Sequence, residues 1–136
     1  MIVVDTGPLV AAVDTDSRDH QACAALLDEH VDELIVPASV VVETCWMLAR
    51  LLGVSAEAEL LASIADGELH VESLVRADYL RSGELVLTYA DLGLGMVDAT
   101  VVAIAERVGC HQIATLDQRD FRVVRPSHVD AFDLLP

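Results

Sequence analysis

The chain has 136 residues, 54% of them hydrophobic, and its 23 acidic residues against eight arginines and no lysine give a formal charge of −15. This size suits one domain, residues 1–136, with a single core, and no Pro/Gly/Ser-rich stretch divides it. The charge argues against a general nucleic-acid binder that works through a basic surface, and no apolar run reaches the ~18 residues needed to cross a bilayer.

In chain order, Ile2-Val3-Val4 is a short buried-strand signal ending at Asp5, and Thr6-Gly7-Pro8 opens a helix with proline in its first turn. A helix is predicted from about Asp19 to His30, then a strand at Leu34 to Val36 stopped by Pro37. Ser39 is expected to cap a helix through Arg50, and Ser55 another to about Asp66. A strand at Leu69 to Val71 and a long helix near Ala77 to Tyr89 follow. The glycines of Asp91-Leu92-Gly93-Leu94-Gly95 make a turn before a helix from Met96 to Val108, which Gly109 ends. Ile113 to Leu116 reads as a strand, with Val123-Val124 and Phe132 to Leu134 as weaker strand candidates. The alternation predicts an α/β fold whose mainly parallel sheet lies between helices, with ligands at the carboxyl ends of the strands. No basic segment precedes the first apolar run, so a cytoplasmic protein with no membrane association is expected.

Four acids stand where a solvated charge is not expected. Glu43 has Ser39, Val40, Trp46 and Met47 as helical neighbours, and Asp98 has Leu94, Gly95, Val101 and Val102, so both project from mainly apolar faces. Taken alone, Asp98 is equally well explained as a charge favoured by the helix dipole. Asp5 and Asp117 each follow an apolar strand and should emerge at the same sheet edge, although either one singly could be a cap or turn residue. Together the four can hold one or two hard cations and leave open positions for water and a phosphate oxygen. Cys23, Cys45 and Cys110 are dispersed among apolar residues, and no histidine pairs at zinc-site spacing. Oxygen ligands therefore point to Mg2+ or Mn2+, whose charge locally reverses the acidic balance.

The run Ile2-Val3-Val4-Asp5-Thr6-Gly7-Pro8-Leu9 resembles the opening of PIN domains, specifically the VapC ribonuclease toxins. Val40-Val41-Val42-Glu43, Leu94-Gly95-Met96-Val97-Asp98-Ala99, and Thr115-Leu116-Asp117 with Phe121 resemble the later acidic segments of that family, in order across the chain. The resemblance implies a three-layer α/β/α fold and a Mg2+- or Mn2+-dependent endoribonuclease acting on RNA. It further implies a homodimer neutralised by a cognate antitoxin. Carried over by residue, Asp5, Glu43 and Asp98 would be the principal metal ligands and Asp117 would complete the pocket, with Thr6 and Thr115 orienting them. Arg119 and Arg122, with Arg125, are weaker candidates for RNA contact beside the ordinary reading of a surface pair with Asp120. Asp91 reads as a turn residue, and Trp46, Met47 and Leu48 as either core or a partner face.

Other readings rank lower. Asp5-Thr6-Gly7 also spells the aspartic-protease tripeptide, but there it lies in an all-strand context rather than at a helix start. A phosphatase with an aspartyl nucleophile needs an acid at position 7, where glycine stands. The non-enzymatic alternative is a catalytically silent PIN-like binding module.

Overall fold

A computed structural model describes residues 1–136. The elements run β1 (Ile2–Val4), α1 (Thr6–Val13), α2 (His20–Glu29), β2 (Leu34–Pro37), α3 (Ala38–Leu51) and α4 (Val54–Ala65). They continue with β3 (Val71–Glu72), α5 (Arg76–Thr88), α6 (Met96–Val108), β4 (Gln112–Ala114), α7 (Gln118–Val123) and β5 (Asp133–Leu135). The five strands form one parallel sheet in the order β3-β2-β1-β4-β5.

The order follows from the residues. β1 is the most apolar strand, and Ile2, Val3 and Val4 are all buried, which suits the middle of a sheet covered on both faces. From β1 the chain steps outward to β2 and β3, then crosses back to place β4 and β5 on the other side of β1. With right-handed crossovers, α1 to α4 cover one face and α5 to α7 the other, giving three layers. The direction of winding reverses beside β1, and the carboxyl ends of β1 and β4 there form the crevice where α/β sheets bind ligands.

Packing fixes the helices. The middle of α6 is core, with Ala99, Val101, Val102, Ile104 and Ala105 at 0% exposure. Gly109 ends it with φ +70°, a left-handed conformation that costs a side-chain-bearing residue about 1 kcal/mol. Gly109→Ala should therefore lower stability by about 1 kcal/mol in chemical denaturation without altering the site. Two arginines tie α5 to α6: Arg81 pairs with Glu106 at 2.8 Å, and Arg107 with the buried Asp78 at 3.0 Å. Asp78 also accepts the Val75 N–H at the start of α5.

Several local expectations are corrected. Ser39 does not cap α3, which starts directly at the end of β2 with Pro37 as its unbonded N-cap; the Ser39 hydroxyl instead meets Thr100 at 2.6 Å. Ser55 lies inside α4, because Gly53, at φ +98°, makes the turn out of α3 and serves as the N-cap. Val123-Val124 is not a strand. Val123 is the last residue of α7, and Phe121 and Val124, three apart, are both buried while Val123 is exposed, the spacing of a helical turn. The remaining strands are shifted by one or two residues: β3 begins at Val71, β4 ends at Ala114, and β5 starts at Asp133.

Candidate active site

β1 and β4 are adjacent and in register, with Val4 opposite Ala114. The next residue of each strand, Asp5 and Thr115, therefore emerges beside the other. The Asp5 N–H donates to the Ala114 carbonyl at 2.9 Å, and the Thr115 hydroxyl donates to Asp5 Oδ2 at 2.8 Å. The second carboxylate oxygen, Oδ1, accepts the Thr6 N–H at 2.7 Å as the N-cap of α1. Thr115 Oγ1 also accepts the Asp117 N–H at 3.1 Å, so one hydroxyl ties both strand-end acids together.

The helices bring the other two acids. Glu43, one turn into α3, accepts the Thr6 hydroxyl on Oε2 at 2.5 Å, and Asp98 stands in the first turn of α6. All four carboxylates line one open cavity of about 520 Å³, together with Thr6, Gly7, Met47 and Leu116. Gly7 packs closely on Leu116: an added Cβ would stand 3.2 Å from Leu116 Cβ, so that side chain would have to give by a few tenths of an ångström. Thr6 and Thr115 both hydrogen-bond acids of this cavity.

The acids strain one another electrostatically. Burial pushes the Asp98 carboxyl up to about 7, and the charges of Asp5, Asp117, Glu43 and Asp120 push it in the same direction. Burial also raises Asp5, against the lowering effect of its bonds from Thr115 and Thr6, and Glu43 and Asp117 add to the rise. Uncompensated carboxylates of this kind fit a divalent cation, which removes the repulsion. No three acidic, histidine or cysteine side chains already stand in ligating geometry about one point.

The weaker candidates lie outside this cavity's lining. Arg119 is exposed and pairs with Asp120 at 3.1 Å, Arg122 bonds Gln118 at 2.9 Å, and Arg125 bonds the Arg122 carbonyl. Asp91 is exposed in a short 3-10 turn, Ala90–Leu92. On α3 the apolar trio separates: Leu48 is core, Met47 lines the acidic cavity, and Trp46 is 61% exposed with the Arg50 guanidinium 4.7 Å from its ring centre. Trp46 lines a second, apolar cavity of about 610 Å³ with Val42, Tyr79 and Met96, and Glu43 borders both cavities. In the sequence Asp120 stands out only as a surface partner for Arg119, Arg122 and Arg125, yet it is buried and acts on Asp98. Its position three residues after Asp117 becomes a signal only once residues 118–123 are helical.

The PIN domain family model matches residues 2–125. The chain belongs to the PIN-domain family. It is 32% identical over 135 residues to Ribonuclease VapC26 of Mycobacterium tuberculosis, covering 99% of this chain and 100% of that protein. The fold of this PIN domain is similar to that of M. tuberculosis VapC20, described as a sarcin-ricin loop cleaving toxin, with a TM-score of 0.77 and 20% identity over 83% of this chain and 87% of that one. It is also similar to VapBC2 from Rickettsia felis bound to a promoter DNA fragment, with a TM-score of 0.72 and 15% identity over the whole of both chains. A toxin-antitoxin complex from Klebsiella pneumoniae gives a TM-score of 0.67 at 16% identity, over 95% of this chain and 100% of that one.

Proposed function

We propose that this PIN domain is a Mg2+- or Mn2+-dependent endoribonuclease, the toxin of a toxin-antitoxin pair. The observation that carries the chemistry is the convergence of Asp5, Glu43, Asp98 and Asp117 from four separate segments on one open cavity. The kinship with a VapC ribonuclease over the whole chain supports RNA as the substrate.

A divalent ion held by these acids would supply positive charge for a phosphate oxygen and make water a better nucleophile at neutral pH. The protein's part is orientation. Thr115 fixes Asp5 and the Asp117 backbone, Thr6 fixes Asp5 and Glu43, and Asp98 gives up its proton as the site fills. Water adds to phosphorus, the bond to the 3′ oxygen breaks, and a proton goes to that leaving oxygen. The expected products carry a 5′-phosphate and a 3′-hydroxyl. Mapping the ends of cleaved RNA checks this, and a 2′,3′-cyclic phosphate would contradict attack by water.

A −15 protein does not attract RNA by its overall field. The same charge steers a basic antitoxin segment toward the acidic cavity. The exposed apolar face of Val42, Trp46, Tyr79 and Met96 beside that cavity supports a protein partner, either the antitoxin or a second copy in a homodimer. No helix is long and apolar enough to cross a membrane.

A further inference from the structure

We infer that Ser39 and Thr100 are positioning residues: their hydrogen bond clasps α3 to α6 and sets the spacing of Glu43 and Asp98 for metal binding. The inference rests on the proposed metal site. α3 and α6 cover opposite faces of the sheet and meet where they leave its carboxyl edge. Each brings one acid there, and the charges of Glu43 and Asp98 repel. Among the side chains of these two helices, Ser39 and Thr100 form the single hydrogen bond that joins them, at 2.6 Å.

The direction of this bond is set by its surroundings. The Thr100 hydroxyl donates to the Val97 carbonyl at 2.7 Å, so its oxygen is left to accept, and the Ser39 hydroxyl donates to it. Val97 immediately precedes Asp98, and Ser39 lies one turn before Glu43 on the same face of α3. The chain of bonds therefore runs from the turn that supports Glu43 into the backbone that carries Asp98. Thr100 is completely buried, so water does not replace a lost partner at its side. Ser39 is free for this role because it does not cap α3.

Ser39→Ala and Thr100→Val each remove the clasp while leaving the four acids in place. Mn2+ affinity of the purified protein, measured by calorimetry, should fall about 5-fold or more in each. The double variant should be no worse than the weaker-binding single, since both remove one bond. Ser39→Thr, which keeps the hydroxyl, should retain wild-type affinity. In RNA cleavage, kcat should fall with little change in KM. Lower melting temperatures with unchanged Mn2+ affinity in both singles would show a purely structural bond and overturn the inference. Wild-type protein that takes up no Mn2+ would overturn it together with the metal-site reading, whereas uptake lost in Asp5→Asn but kept in both clasp variants would refute the clasp alone.

Discussion

Asp5→Asn is expected to reduce RNA cleavage by roughly 1,000-fold or more, about 4 kcal/mol of transition-state stabilisation. Asp5 is the most constrained of the four acids. Both of its oxygens are fixed by hydrogen bonds, and it lies where two parallel strands end in register. The substitution removes the charge but keeps the shape: asparagine Oδ1 can accept the Thr6 N–H, and Nδ2 then faces Thr115, whose hydroxyl can turn to accept. The variant should therefore stay folded, as circular dichroism and a melt would verify, while Mn2+ affinity collapses. Wild-type cleavage by this variant would remove Asp5 from the chemistry.

Asp98→Asn is expected to separate stability from activity. The Asp98 carboxyl has an ordinary value of 3.8 and is pushed to about 7 by burial first and then by its acidic neighbours. Between these values the unfolded chain has lost the proton while the folded one keeps it, so the metal-free protein becomes less stable as pH rises from about 4 to about 7. Above that window the full cost is present. Asparagine removes this cost, and the metal-free variant at pH 7.5 should gain about 1 kcal/mol, a modest figure because solvent reaches this half-buried group and screens it. Its melting temperature should rise by roughly 3 °C and lose the pH dependence across that window. Cleavage should fall about 100-fold or more. A variant that melts lower than wild type at pH 7.5 without metal would contradict the repulsion. By the same linkage, wild-type Mn2+ affinity should weaken as pH falls below 7.

These consequences depend on contacts that were only partly readable in the sequence. The strand signals at Ile2-Val3-Val4 and Ile113 to Leu116 were strong because short, mainly apolar runs ending in aspartate have few alternatives in an alternating chain. They also brought Asp5 and Asp117 to one edge, since parallel strands end on the same side. α6 was legible at both ends, from the glycine-rich turn before it and Gly109 after it. Glu43 was visible as a charge among apolar helical neighbours.

What the sequence did not disclose was set by tertiary contact. Ser39 has the chemistry of a helix cap, but β2 runs straight into α3, and the nearby Thr100, 61 residues away in sequence, offers its hydroxyl a partner. Val123-Val124 has strand propensity, yet burial of Phe121 and Val124 on one face makes Gln118–Val123 a helix too short for its period to show. The influence of Asp120 on Asp98 was hidden for the same reason, because it depends on α7 being helical. Pairing of Arg119 and Arg122 with Asp120 was legible and is seen for Arg119, whereas the Arg122 bond to Gln118 was not.

The central claim is that the four-acid cavity cuts RNA with a divalent metal. The most direct test incubates the purified chain, free of any antitoxin, with total cellular RNA in Mg2+ or Mn2+, beside Asp5→Asn and an EDTA control. Discrete fragments that require both the metal and Asp5 are the predicted result. Intact RNA after incubation with protein shown to be folded and metal-loaded would contradict it and favour a PIN domain that binds without cutting.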